Sequence, residues 1–129
     1  MPQAKCHDIL IVEDDESIRD CLAEVLDDEG YSVTVASNGR EGLDRLRSPK
    51  GGRPPCVILL DLMMPVMDGF EFRAEQLKDR ALAGIPVVVL SADGRAKVKA
   101  AALGIAEALI KPVDLDEVLA VVTRHCGSR

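Results

Sequence analysis

The sequence predicts an α/β fold: a doubly wound, five-stranded parallel sheet with helices on both faces. Short runs of β-branched and aliphatic residues alternate five times with longer segments whose apolar residues recur every three or four positions, which is typical of βαβ units. The first run, Ile9-Leu10-Ile11-Val12, has no polar residue, as expected for a central strand that helices cover on both faces. With 129 residues the chain has the size of one compact domain, which we expect to span residues 1–129 with a core at about 7–125.

The first helix and the second strand are predicted from two different spacings of their apolar residues. The helix ends near Gly30, because glycine commonly caps helix C-termini. Its predicted inward face consists of Ile18, Cys21, Leu22, Val25 and Leu26. Residues 31–35 alternate apolar with polar side chains, which indicates an edge strand with one poorly covered face.

The remaining elements continue the alternation. We predict helices at 39–47, 70–80, 96–103 and 115–122, and strands at 56–60, 86–90 and 108–110. The loop at 48–55 is rich in proline and glycine, and we interpret it as a connection rather than a domain boundary. Three of the strands are followed directly by a polar residue, namely Asp61, Ser91 and Lys111.

Composition and charge exclude several classes of protein. Hydrophobic residues make up 47% and charged residues 29% of the chain, which is typical of soluble globular proteins. A net charge of -6 offers no basic surface for nucleic acid. The N-terminus is too short and too polar for a signal peptide, and no apolar run approaches the roughly 20 residues of a membrane span. We therefore expect a cytoplasmic protein that neither binds nucleic acid directly nor inserts into a membrane.

Cysteine and histidine spacing indicates no metal or redox motif. Four cysteines, at positions 6, 21, 56 and 126, are scattered without a Cys-x-x-Cys pair, and we interpret them as small apolar residues. His7 and His125 lie at opposite ends of the chain, and we interpret both as structural or solvated.

Polar residues cluster where the predicted strands end. Glu13 and Asp14 follow the first strand, and Asp61, Ser91 and Lys111 follow the third, fourth and fifth. In an open parallel sheet, ligands bind beyond the carboxyl ends of the strands, so these five side chains should converge. Several neighbouring carboxylates repel one another unless a cation neutralises them, and oxygen ligands suit Mg²⁺, or Mn²⁺, completed by a phosphate.

The same residues suit phosphoryl transfer. An aspartate such as Asp61 can attack phosphorus and form an aspartyl phosphate. Lys111 would neutralise one phosphoryl oxygen, Ser91 would donate a hydrogen bond to a second, and the metal would bridge a third to Asp61.

Each residue also has a simpler interpretation. Asp14, Asp15 and Glu16 could complement the dipole of the helix that they open, and we expect Asp15 and Glu16 to do only this. Asp61 could be a turn residue, Ser91 or Asp93 a helix cap, and Lys111 a surface lysine. We interpret the methionines at 63, 64 and 67 as flexible packing rather than a soft-metal site.

Four segments together resemble the receiver domains of two-component response regulators. These are ILIVEDDESIRD, VILLDLMMPVMDGFEF, IPVVVLSA and ALIKPVDLDEVL, in this order over nearly the whole chain. The resemblance implies a flavodoxin-like receiver fold with strand order 2-1-3-4-5 and a cis bond between Lys111 and Pro112.

By that resemblance, the site residues acquire family roles. Glu13 and Asp14 match the metal-binding acidic pair, and Asp61 matches the phosphoacceptor. Met63 matches the residue whose backbone carbonyl binds the metal. Two further positions match the switch hydroxyl and the phosphate-contacting lysine, namely Ser91 and Lys111. Asp93, together with Met63, corresponds to positions that flank the attacking-water path.

Two departures from the family pattern concern the reporting of phosphorylation. Three residues before the lysine the family usually has an aromatic side chain, and here that residue is Ala108. The stretch from Ser91 to Lys111 is also slightly short, which predicts a trimmed fourth helix or preceding turn. Both changes fall on the face that normally carries output.

The resemblance implies phosphotransfer from a sensor histidine kinase or a histidine phosphotransfer protein to Asp61. The chain would catalyse only its own phosphorylation and dephosphorylation. We expect no output domain, so that the chain would signal through contacts with a downstream protein, as a monomer or as a phosphorylation-dependent dimer.

Three alternatives belong to other functional classes. A receiver fold could act as a docking module without phosphorylation, although all five chemical positions are retained. A flavodoxin-like FMN carrier would need a Ser/Thr/Gly-rich phosphate loop after the first strand, where this chain has carboxylates. An aspartyl phosphatase usually has a second acid two residues after its nucleophile, where this chain has Met63.

Overall fold

The computed structural model describes residues 8–127, and its elements follow the predicted alternation. They are β1 Asp8–Val12, α1 Glu16–Asp28, β2 Ser32–Ala36, α2 Gly39–Arg47, β3 Val57–Asp61, α3 Gly69–Lys78, β4 Val87–Ser91, α4 Ala96–Ala102, β5 Glu107–Ile110 and α5 Leu115–Cys126. A short 3-10 turn at Lys50–Gly52 lies in the predicted loop. In this part of the chain, no helix combines the length and the apolar character that a membrane crossing requires.

The five strands form one parallel sheet in the order β2-β1-β3-β4-β5, which confirms the predicted topology. Every residue of β3 and β4 is buried, whereas β2 lies at an edge and is largely half-buried. The alternating pattern of β2 therefore identified an edge strand correctly, because one face of an edge strand can stay in contact with water.

The sheet separates two apolar cores. Alternate strand residues point to opposite faces, so Ile58 and Leu60 pack with α2, α3 and α4, whereas Leu59 packs with α1 and α5. The largest side chain of the first core is Phe72 of α3, which is fully buried. Helices on both faces explain why the central strands have no polar residue inside them.

The predicted bounds differ from the observed ones mainly at the last helix. We predicted that it ends at Val122, but α5 continues to Cys126 and ends at Gly127, which has a positive φ of 81°. The extra turn forms because Cys126 extends the buried stripe begun by Val118 and Val122. Cys21, which we placed on the inward face of α1, is exposed.

The interpretation of all four cysteines as small apolar residues is wrong for two of them. Cys56, directly before β3, forms a disulfide with Cys126 at the end of α5, with their Cα atoms 5.4 Å apart. Cys126 is nevertheless part of the core that contains Leu59. The pair is separated by 70 residues, so no local spacing could have revealed it. Cys6 and His7 lie outside the described residues.

Gly69, the first residue of α3, lies directly against β3. A Cβ at this position would be 2.6 Å from the carbonyl oxygen of Asp61 and 2.7 Å from Cα of Leu62. Both are backbone atoms and cannot rotate away. The helix therefore approaches the strand end closely only because residue 69 is glycine.

We predict that Gly69→Ala destabilises the protein by about 2 kcal/mol or more, because this overpacking outweighs the roughly 1 kcal/mol by which alanine favours a helix. Urea unfolding should show a lower midpoint for Gly69→Ala than for the parent. Gly84→Ala is the matched control, since nothing lies within 4 Å of its added Cβ. Equal midpoints for the two variants would contradict the proposed clash.

Candidate functional site

A cavity of about 250 Å³ opens at the carboxyl edge of the sheet, beyond the ends of β1, β3, β4 and β5. It is lined by Glu13, Asp14, Asp15, Asp61, Met63, Ser91, Ala92, Asp93 and Lys111. The structure thus brings together every residue to which the sequence assigned a chemical or modulating role, with the exception of Ala108.

Three carboxylates lie at the centre of this cavity. One oxygen from each of Glu13, Asp14 and Asp61 lies within 4.8 Å of the others. Glu13 is 0% exposed and Asp61 is 4% exposed, whereas Asp14 faces solvent. β1 pairs directly with β3, so the residues that follow Val12 and Leu60 are brought side by side.

Strand alternation directs the buried charged side chains to the same side. Glu13 continues the alternation of Ile9 and Ile11 in β1, and its backbone N–H still donates to the carbonyl of Ala36, 3.0 Å away. Asp61 continues the same phase in β3. The guanidinium of Arg19 in α1 donates to the carbonyl of Glu13 at 3.1 Å and so restrains this strand end.

Lys111 is the cation that contacts the buried acids. Its Nζ lies 2.7 Å from Oε1 of Glu13 and 3.4 Å from Oδ1 of Asp61. Its backbone N–H donates to the carbonyl of Ser91 at 2.8 Å, which places the lysine beside β4. The peptide bond between Lys111 and Pro112 is cis, as predicted.

Burial and like charge make Asp61 a weak acid. The pKa of Asp61 is raised to about 7, mainly by burial, then by a hydrogen bond with Asp14 and the charge of Glu13, while Lys111 opposes these effects. Burial acts to lower the pKa of Lys111, but its contacts with Glu13 and Asp61 outweigh that effect, so the net pKa is raised. The lysine therefore remains charged.

The residues present fit a divalent cation. Three carboxylates facing one lysine leave excess negative charge, and Oε1 of Glu13, although in ion-pair contact with Lys111, has no aligned hydrogen bond. Carboxylate oxygens are the ligands that Mg²⁺ prefers. Glu13, Asp14 and Asp61 could hold such an ion together.

Ser91 and Asp93 also line the cavity. Ser91 is buried at the end of β4, and its Oγ accepts a hydrogen bond from the backbone N–H of Asp93 at 3.1 Å. Asp93 accepts from the N–H of Arg95 at 2.7 Å and pairs with Lys99 at 2.5 Å. The hydrogen bond from Lys99 is the main cause that lowers the pKa of Asp93.

Of the three residues interpreted as possible helix-terminal residues, Asp15 is a cap, whereas Ser91 and Asp93 are not. Asp15 is the N-cap of α1 and accepts from the N–H of Ile18 at 3.2 Å, as the simpler interpretation required. Neither Ser91 nor Asp93 caps α4, whose N-cap is Arg95 and lacks a side-chain hydrogen bond. Ser91 is thus a buried hydroxyl at the cavity wall.

Of the two remaining predicted positions, Met63 lines the cavity and Ala108 does not. Met63 donates its backbone N–H to Oδ1 of Asp61 at 3.3 Å, and the residue is 68% exposed. Ala108 lies in β5, paired with Val89, and packs partly against the core beneath α4. It lines a separate groove of about 350 Å³ between β5 and α5. Gly69 and Arg19 also contact the strand ends, and no sequence pattern identifies them because these contacts depend on the tertiary arrangement alone.

We predict that Asp61→Asn stabilises the protein at pH 8 in the presence of a chelator. Because the pKa of Asp61 is raised from 3.8 to about 7 in the folded chain, its stabilising contribution is complete below about pH 4 and is lost as the pH rises to 7. The gain should be on the order of 1 kcal/mol or more, since one pKa unit corresponds to about 1.4 kcal/mol.

Urea unfolding between pH 4 and pH 8 measures this effect. The parent should lose stability across this interval relative to Asp61→Asn. Asp44→Asn removes the same charge from an exposed position of α2 and serves as the control. Parallel curves for the parent and Asp61→Asn would show that Asp61 titrates normally.

Comparison with known proteins agrees with this geometry. The family model for the response regulator receiver domain matches residues 9–123. The response regulator MprA of Mycolicibacterium vanbaalenii is 39% identical over 114 residues, which cover 87% of this chain and 47% of MprA. The chain thus spans about half the length of this relative, and also of the alkaline phosphatase synthesis regulator SphR of Synechococcus elongatus.

Solved structures show the same similarity. The chemotaxis protein CheY4 of Vibrio cholerae superimposes with a TM-score of 0.81 at 30% identity, covering 93% of this chain and 98% of CheY4. The receiver domain of Francisella response regulator 1452 superimposes with a TM-score of 0.77 at 28% identity, covering 91% and 93% of the two chains. From the matched family model, the parallel sheet and the acidic cluster at its carboxyl edge, we conclude that this chain belongs to the receiver domains of two-component response regulators.

Proposed function

We propose that the chain accepts a phosphoryl group on Asp61 from the phosphohistidine of a histidine kinase or a histidine phosphotransfer protein. The observation that carries this proposal is the convergence of Asp61, two further acids, Lys111 and Ser91 in one cavity at the carboxyl edge of the sheet. A buried carboxylate beside a lysine and a hydroxyl offers a nucleophile together with groups that neutralise a phosphoryl oxygen.

The chemical step transfers the phosphoryl group from a donor histidine to the acceptor Asp61. A carboxylate oxygen of Asp61 attacks phosphorus, the bond from phosphorus to the imidazole nitrogen breaks, and that nitrogen keeps the electron pair. Lys111 lies within 3.4 Å of Asp61 and can shift its contact to a phosphoryl oxygen. Ser91 can donate its hydroxyl hydrogen to a second oxygen while its Oγ still accepts from the N–H of Asp93.

Mg²⁺ or Mn²⁺ would neutralise the developing charge and would be held by Glu13, Asp14, Asp61 and the backbone carbonyl of Met63. The protein contributes carboxylates that repel one another unless they share a cation. Lys111 already neutralises part of this charge through Glu13.

Loss of the phosphoryl group would be controlled from the rim of the cavity. Met63 and Asp93 line the same cavity as Asp61, and the Asp93 side chain is held by Lys99 and by the N–H of Arg95. We infer that these two residues regulate the approach of water to the acyl phosphate. Signalling would then proceed in the cytoplasm through altered contacts with a downstream protein, by a monomer or a phosphorylation-dependent dimer.

Incubation with acetyl phosphate and Mg²⁺, followed by intact-mass measurement, tests the acceptor. One phosphoryl mass should appear on the parent and none on Asp61→Asn. No added mass on the parent, despite a folded protein, would favour the alternative of a docking module that works without phosphorylation. Added mass on Asp61→Asn would move the acceptor elsewhere.

We predict that Mg²⁺ raises the melting temperature of the parent but not of Asp14→Asn. At a concentration 100 times its dissociation constant, a ligand of the folded state adds about 2.7 kcal/mol of stability. Asp15→Asn is a close control, because it removes the same charge one residue away and asparagine caps a helix as well as aspartate. Equal Mg²⁺ responses of the two variants would contradict the assigned metal ligands.

We predict that Asp93→Lys changes the lifetime of the phosphorylated state by roughly threefold or more, because it reverses the charge beside the path of the attacking water. The free energy of unfolding should change little, because the ion pair of Asp93 with Lys99 is only partly buried and such pairs contribute little to stability. Lys99→Met breaks the same pair and leaves Asp93 in place, so it separates the two effects. Phosphoryl decay followed by mass spectrometry gives the lifetimes, and equal values for the parent and Asp93→Lys would refute the role.

A further inference from the structure

The Cys56–Cys126 disulfide lies at the opposite end of β3 from the acidic cavity. Cys56 precedes the strand and Asp61 ends it, so about 16 Å of extended chain separates them at 3.3 Å per residue. Cys126 is the last residue of α5. The bond therefore joins a helix end to the sheet without touching the proposed reacting groups.

The surroundings of Cys56 suit both oxidation states. Its Sγ lies 3.1 Å from the carbonyl oxygen of Asp8, which also accepts the backbone N–H of Cys56 at 2.8 Å. A disulfide sulfur has no hydrogen to donate to that oxygen, whereas a thiol at the same position does. Cys126, 6% exposed in an apolar core, is equally compatible with a thiol, which behaves there as a small hydrophobe.

The end of α5 has other attachments that do not depend on sulfur. Glu107 of β5 pairs with His125 at 2.6 Å and also with Arg124. The hydroxyl of Tyr31 donates to the carbonyl of Gly127 at 2.8 Å. Breaking the disulfide would therefore leave α5 folded against the sheet, but without a covalent limit on local opening.

We propose that Cys56 and Cys126 form a reversible dithiol–disulfide site that locks the C-terminal end of α5 to the sheet when oxidised. Cys56 is half-buried whereas Cys126 is buried, so we assign the attack of an external thiolate to Cys56. The natural reactants would be small thiols and disulfides such as glutathione, or a dithiol oxidoreductase.

Reduction of the disulfide requires two electrons, which two thiols supply. A thiolate attacks Sγ of Cys56, the S–S bond breaks, and the electron pair remains on Sγ of Cys126, which takes up a proton. A second thiol then attacks the mixed disulfide, releases Cys56 as a thiol and leaves the reductant as its own disulfide. Glutathione disulfide reverses both steps and yields two molecules of reduced glutathione.

A redox titration of the folded protein tests reversibility. In a Cys6→Ser/Cys21→Ser background, the protein is equilibrated in buffers of reduced and oxidised glutathione, alkylated, and weighed intact. Species with two alkylated thiols and with none should interconvert along the same curve from either direction. Thiols that persist at every ratio, or a disulfide that opens only in denaturant, would overturn the proposal.

Hydrogen exchange tests the lock itself. Amides of the last turns of α5 should exchange at least about tenfold more slowly in the oxidised protein than in the reduced one. The Cys56→Ser/Cys126→Ser variant should exchange like the reduced protein under both conditions. Equal exchange in the two states of the parent would show that the bond does not restrain α5. Neither measurement requires phosphorylation of Asp61. The disulfide proposal and the phosphotransfer proposal are therefore tested independently, and either can fail while the other is supported.

Discussion

The contact of Lys111 with Glu13 and Asp61 is the interaction on which the site depends. Two carboxylates with almost no exposed surface would repel each other strongly if neither had a cation nearby. The lysine can reach both because β1, β3 and β5 end at the same edge of the sheet and their last side chains follow the same alternation. The contacts of Lys111 with the two buried acids thus depend on the parallel topology. One lysine does not neutralise all the acids of the site, so the site favours a further cation.

This arrangement stores an unfavourable interaction in the folded chain. A carboxylate with a pKa of about 7 is destabilising at neutral pH, and the surrounding packing has to compensate for it. The two apolar cores supply that compensation, since β3 is buried along its whole length and carries Asp61 at its end. A stable sheet can therefore hold a site that opposes folding, which is a common property of binding and catalytic sites.

Sequence reasoning succeeded where the pattern is local or repeats through the fold. Uninterrupted apolar runs identified the central strands, and the rule for parallel sheets correctly predicted that residues as distant in sequence as Glu13 and Lys111 lie together. It failed where a contact depends on how two elements pack. The pairing of Cys56 with Cys126 and the close approach of Gly69 to β3 both arise from the placement of a helix end against a strand, which no single segment encodes. The exposure of Cys21 has a similar origin, because a helical stripe defines a direction but not its width.

The alternation of β3 between two cores has a consequence for how the protein can change over evolutionary time. Ile58 and Leu60 belong to the layer of α2, α3 and α4, and Leu59 belongs to the layer of α1 and α5. The sheet therefore acts as a partition, and a substitution on one side of it alters the packing of one helical layer while the other keeps its own neighbours. The surface residues of one layer can therefore diverge without a matching change in the other, while the acidic edge that both layers share is inherited intact.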